Sequence, residues 1–492
     1  MNLSRIVAHW AGMSPDKVAI HYLGEDITYA GLWRRVEAAT ATLVGAHGVK
    51  PGERVAYLGL NHPDFLAMLL ALARVGAIAV PLNFRLAPPE LATILKQAGV
   101  RRLFCDQAMH GPGAAAAKMT GTPLVASDTL CAGSGTADPQ ALAGDDESDC
   151  MIVYTSGTTG APKGAVHTQA NLLWNIAAAI AAQDFTSADH MLNPLPMFHV
   201  GGLCIQTLPV LAAGGSITLH ARFDPGAWLA DVGARHATVS LLVPATIRAV
   251  LDHPDWPAAD LSSLRFLNAG SSIVPLTMIE AFHARGVPVC QVYGATESGP
   301  VSIVLRPPDA MRKPGSAGKA ALHVEARLVK ADGSAAAQGE TGEIWLRGKN
   351  VVKGYWNDAD NPAFAGGWFR SGDLAYVDPE GFHFVVGRSK DMIISGGENI
   401  YPAELENVLA DCTDIAEAAV IGRPDAKWGE VAVAVVVKKP GAGIDEVSVL
   451  ALFDGRLARF KHPRAVVFTE SLPKTALGKV QKDVLKTRLS II

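Results

Sequence analysis

Short apolar, β-branched runs alternate with longer helix-period runs through the first half of the chain. Residues 54–59 (RVAYLG) read as a strand, 63–75 as an apolar helix, 77–81 as a strand, 88–98 as a helix and 101–105 as a strand. Parallel strands need a crossover between them, so this alternation predicts an α/β fold of layered, largely parallel sheets. The most apolar long segment, 65–82, is interrupted by Arg74. It reads as a buried helix running into a strand, not as a membrane span. Between 111 and 149, Ala, Gly, Ser, Thr and Asp occur with little periodicity, which predicts mostly surface loops. From about Ser316 the pattern becomes short strands (325–329, 343–347) separated by Gly and Asp332-Gly333 turns, a small β unit. A further change follows Gly387-Arg388-Ser389-Lys390: a short strand at 392–395, the turn Gly396-Gly397, a helix opened by Pro402 and a strand at 431–437. The expected division is therefore 1–389 and 390–492.

At 492 residues, 49% hydrophobic and 18% charged, the chain is long enough for several packed cores and too apolar for disorder. Its net charge of −4, without a long basic run, argues against a nucleic-acid partner. Cys105, Cys131, Cys150, Cys204, Cys290 and Cys412 form no C-x-x-C pair, which speaks against a zinc site or a disulfide framework. No secretory h-region precedes Asp16, and Arg488-Leu-Ser-Ile-Ile492 is not a peroxisomal address. The expectation is a cytoplasmic protein without an integral membrane segment, monomeric or homodimeric.

One loop concentrates more chemistry than any other. Tyr154-Thr-Ser-Gly-Thr-Thr-Gly-Ala-Pro-Lys-Gly164 follows an apolar strand (150–154) and precedes a helix-like run from about Asn171. Its glycines let backbone N–H groups turn onto an anion, Thr155, Ser156, Thr158 and Thr159 add donors, and Lys163 adds a mobile charge. That composition makes a polyphosphate cradle. It is not a Walker A loop: counting from Gly157 puts Pro162 at the second glycine and Gly164 at the hydroxyl position. A flexible linker rarely gathers hydroxyls and lysine behind a strand.

The same residues resemble the signature loop of the AMP-forming adenylating superfamily of acyl- and aryl-CoA synthetases, luciferases and peptide-synthetase adenylation domains. Further family-like blocks stand at 194–199, 292–297, 368–373, 387–399 and 473–479, so the likeness spans nearly the whole chain. It implies an acid–CoA ligase using ATP, Mg²⁺ and coenzyme A, with a mobile α+β C-terminal domain. By that resemblance Thr155, Ser156, Gly157, Thr158, Thr159, Gly160 and Lys163 hold phosphates. Gly270, Ser271, Ser272, Tyr293 and Gly294 surround adenine. Thr296 meets the α-phosphate, Glu297 the metal, and Asp373 with Arg388 the ribose. Lys479 bridges carboxylate and α-phosphate, where charge builds in the transition state. His199 walls or gates the acyl pocket, although a lone histidine in an apolar setting is more often structural.

For thioester formation the resemblance assigns Lys390 to the hinge, Gly396, Gly397 and Glu398 to the pantetheine tunnel, and Trp428 and Phe460 to the CoA nucleotide. Val200, Gly201, Gly202, Ala269, Val292, Gly294, Gly299, Pro300 and Val301 fall at pocket positions, where the glycines are expected to leave room. Thr-Glu-Ser-Gly-Pro-Val (296–301) is similar to the run of 4-coumarate–CoA ligases. The expected partner is a small-molecule carboxylic acid of the hydroxycinnamate type, such as ferulate or 4-coumarate, with a medium- or long-chain fatty acid as the alternative. A peptide-synthetase adenylation domain, a luciferase-like oxidation and a non-catalytic paralogue fit less well. No carrier segment follows Lys479, and both Glu297 and Lys479 are present.

Overall fold

The computed structural model describes residues 2–133, 137, 142–156, 162–358, 360–396, 398–425, 427–475 and 478–489. A nine-stranded sheet and a six-stranded sheet, both mainly parallel, carry the first three hundred or so residues. The helix Pro63–Val75 lies between them. It starts on Pro63, with His62 accepting from Asp64 N, and stops on Gly76 at φ 79°. Nearly every residue of it is buried because it shares one apolar core with the inward faces of both sheets. That double burial explains a helix hydrophobic all round.

The antiparallel strands Val324–Val329, Gly342–Gly348, Phe369–Val377 and His383–Arg388 make a four-stranded sheet, the small β unit expected from the turn pattern. From Ile393 onward the chain builds a separate five-stranded sheet around Ile415–Asp425 and Gly429–Lys438, covered by the helix Pro402–Ala410. Its two apolar clusters draw only on residues from 393 to 489. The molecule is thus a large α/β body followed by a smaller α+β body.

Two expectations miss elements. Within 111–149, expected to be mostly loop, Leu124–Ala126 is the edge strand of the six-stranded sheet and His110–Thr120 is a helix. Its four consecutive alanines carry no apolar period but have the highest helix propensity, and Gly121 at φ 70° ends the turn. The phosphate-loop region is also not strand, loop and helix. Pro162–Thr168 is itself a strand, folding back on Asp149–Ser156 with Thr155 opposite Lys163, before the helix Gln169–Gln183 begins.

Candidate active site

Three strands converge on one corner. Tyr293 closes the strand Val289–Tyr293, and its hydroxyl donates to Asp373 Oδ2 at 2.9 Å. Asp373 and Arg388 are register partners on neighbouring antiparallel strands, and Arg388 Nε donates to Asp373 Oδ1 at 2.7 Å. The aspartate holds the Arg388 guanidinium above its usual range, while burial and then Asp373 push the Tyr293 phenol well up. Each oxygen of Asp373 keeps a lone pair beyond these two bonds, so the carboxylate can still accept from a ligand. The strand segment before it is held by Ser371 Oγ donating to Ile344 O and by Gly372 N, at φ 71°, donating to Glu343 Oε1.

Lys479 reaches this corner from the small body. Its turn is tied by Thr475 N to Lys479 O and by Lys479 N to Thr475 Oγ1. Gly478 packs so closely on the large body that a Cβ there would lie 2.9 Å from Ala245 Cβ. Lys479 keeps an exposed face, yet desolvation first and Arg388 next lower its ammonium below the ordinary 10.5, against a smaller upward pull from Asp373. Lys390, beside it in the field of charges, pairs with Asp483 at 2.6 Å.

A second corner joins the hairpin to the 292–297 block. Glu297 is buried, and its Oε1 accepts from Tyr355 at 2.7 Å. Among the described residues its Oε2 has no partner. Lys163 Nζ stands 5.1 Å over the Tyr355 ring. Tyr355 was not singled out from the sequence; the only signal was an aromatic pair after Gly354 where a turn would ordinarily be polar. Thr155 Oγ1 makes a long 3.4 Å bond to Lys163 O. Gly157, Thr158, Thr159 and Gly160, and also Gly397, lie outside the described residues. No group of three or more His, Cys, Asp or Glu is placed to hold a metal among the described residues. A magnesium ion at Glu297 would therefore take most of its oxygens from phosphate and water, as this hard cation commonly does.

At the expected pocket positions the side chains of Val200, Ala269, Val292 and Val301 are buried and aliphatic. A Cβ at Gly201 would meet nothing within 4 Å, so this glycine does open space. Gly294 and Gly299 do not. A Cβ at Gly294 would lie 2.3 Å from Pro300 O, and one at Gly299, at φ 56°, would lie 2.6 Å from Asn350 O. Both are glycine because backbone approaches them. Gly270 likewise faces Val292 O at 2.6 Å, and the next residue, Ser271, is exposed at φ 71° ahead of exposed Ser272. The His199 Nε2 is buried without a hydrogen-bond partner among the described residues, and its ring lies 4.3 Å from that of Phe198. Burial, then Arg85, pushes its pKa down to about 3, so the imidazole is neutral.

On the small body, Gly396 adopts φ 61°, donates its N–H to Trp428 O at 2.7 Å and would set a Cβ 2.8 Å from the Trp428 ring. Glu398, Trp428 and Phe460 are exposed. Lys427 and Arg464 flank Trp428 at 4.9 and 5.6 Å. His462 turns inward, its Nε2 2.9 Å from Leu457 O.

Comparison with known proteins matches residues 7–356 to the AMP-binding enzyme family and 404–479 to the AMP-binding enzyme C-terminal domain. An indoleacetate–CoA ligase of Aromatoleum aromaticum is 45% identical over 98% of this chain and 97% of its own. A feruloyl-CoA synthase of an Amycolatopsis species is 43% identical, with 97% of each chain covered. The crystal structure of ATP-bound MatB from Rhodopseudomonas palustris superposes with a TM-score of 0.89, at 33% identity, over 99% of both chains. With both family models matched and relatives aligned end to end, the chain belongs to the AMP-binding enzymes, as an AMP-forming acid–CoA ligase.

Proposed function

We propose that this ligase activates a flat aryl carboxylic acid of the hydroxycinnamate type, ferulate or 4-coumarate, with ATP as adenylyl donor and coenzyme A as thiol. The substrate class is supported by the residues at the expected pocket positions: Val200, Ala269, Val292 and Val301 are buried and aliphatic, a Cβ at Gly201 would meet nothing within 4 Å, and His199 is neutral. None of these residues is itself charged, and His199 lies in the field of Arg85. The aromatic acids named for the two relatives at 45% and 43% identity support the same class.

In the first step a carboxylate oxygen attacks the α-phosphorus and the bond to pyrophosphate breaks. Thr155, Ser156 and Lys163, with Gly157, Thr158, Thr159 and Gly160, hold the β- and γ-phosphates. Thr296 bonds the α-phosphate. Glu297 would hold magnesium, which would supply positive charge against the phosphate oxygens. Tyr293 offers its ring face to adenine while Asp373 pins its hydroxyl, and the free lone pairs of Asp373 take the ribose. Lys479 lies between carboxylate and phosphate. In the second step the thiol sulfur attacks the acyl carbon, the bond to AMP breaks and the thiol proton leaves to water. The small body, 390–492, turns about Lys390 to bring Gly396, Gly397 and Glu398 over the site, with Trp428 and Phe460 against the CoA nucleotide.

Competing acids are discriminated by kcat/KM. The expected order is ferulate and 4-coumarate above dodecanoate, measured as acid-dependent pyrophosphate release. A higher value for dodecanoate would replace the aryl assignment with a fatty-acid one. A higher value for indoleacetate would keep the aryl class but replace the propenoate arm.

A further inference from the structure

We infer that Tyr355 is a positioning residue, tying the phosphate-binding hairpin to the magnesium carboxylate. Three parts of one ring make three different contacts. The hydroxyl donates to Glu297 Oε1 at 2.7 Å, the face lies 5.1 Å under Lys163 Nζ, and the ring meets Phe364 edge-on at 5.4 Å. The backbone around Tyr355 is stitched to the same two elements. Trp356 N donates to Gly164 O at 2.7 Å and Val166 N to Gly354 O at 3.1 Å, while Val352 N donates to Glu297 O at 2.9 Å. Segment 352–356 is therefore anchored on the hairpin at one end and on the 292–297 block at the other.

The chemistry of these contacts fits a spacer between opposite charges. Lys163 has no carboxylate partner among the described residues, and it does not pair with Glu297. A tyrosine face attracts an ammonium without neutralising it, so Lys163 stays available to phosphate. A neutral hydroxyl on Oε1 fixes the rotamer of Glu297 and leaves Oε2 with its charge for a cation. Outer-shell donors of this kind orient metal ligands and tune their affinity. The inference rests on the proposed roles of Glu297 toward magnesium and of Lys163 toward phosphate.

The test compares Y355F, Y355L and E297Q. Mn²⁺ binding to enzyme with ATP is read from the loss of the free-ion electron paramagnetic resonance signal. Acid-dependent pyrophosphate exchange is followed against magnesium concentration. Y355F keeps the packing on Phe364 but loses the bond to Glu297. It should weaken Mn²⁺ binding about tenfold or more and raise the magnesium KM in step, with a smaller fall in kcat. Y355L, which also removes the ring under Lys163, should add a rise in the KM for ATP. Wild-type Mn²⁺ affinity in Y355F, with E297Q weakened, would overturn the positioning role alone. Wild-type affinity in E297Q would overturn the metal assignment of Glu297 and the role of Tyr355 with it.

Discussion

Gly201 and Gly299 stand at neighbouring pocket positions in sequence logic, yet glycine is required there for opposite reasons. At Gly201 the missing side chain is empty space; at Gly299 it is the carbonyl of Asn350, on a backbone held at φ 56°. Gly201→Leu should therefore leave folding intact, raise the KM for ferulate steeply and spare a short acid such as butyrate. Gly299→Leu should fail differently. Left-handed strain and overpacking against backbone together should cost roughly 2–5 kcal/mol, visible as a lowered denaturant midpoint before any change in substrate preference. Equal loss of ferulate and butyrate activity in a stable Gly201→Leu would remove Gly201 from the pocket.

Elements with a strong apolar period were legible from the chain, and those without one were not. The helix Pro63–Val75 and the strand Gly429–Lys438 follow directly from their patterns. The helix His110–Thr120 was hidden because an alanine run has no face, and the strand Pro162–Thr168 because Gly and Pro punctuate its start. The motif residues Tyr293, Asp373, Arg388 and Lys479 were legible as sequence blocks, and the structure gathers them at one corner. Tyr355 belongs to no such block; its importance exists only through the pairing of segment 352–356 with two distant elements. The turn between the strands Ile393–Ser395 and Glu398–Ile400 shows the same dependence on a partner, since Gly396 is shaped by Trp428 from the turn ahead of the strand Gly429–Lys438. Gly396→Val should displace that indole and slow thioester formation from a supplied acyl-adenylate. Acid-dependent pyrophosphate exchange should change far less. An unchanged rate of CoA capture would separate this turn from the thiol path.

At the scale of the whole molecule, the small body is docked with Gly478 on Ala245 and Lys479 in the field of Asp373 and Arg388. This arrangement suits the role proposed for Lys479 in the adenylate-forming step, while Trp428 and Phe460 stay exposed. The lowered ammonium pKa sets the sign of the pH dependence. Lys479 is charged below that pKa and neutral above it, so the first step should decline as pH rises, beginning below the ordinary lysine value of 10.5. The most direct measurement is Lys479→Ala assayed in each half-reaction separately. Acid-dependent pyrophosphate exchange should fall by about a hundredfold or more, the usual loss for one charge aimed at a transition state. Conversion of a supplied acyl-adenylate to thioester with CoA should continue near the wild-type rate. Equal loss of both steps in a folded variant, or undiminished pyrophosphate exchange, would contradict the account.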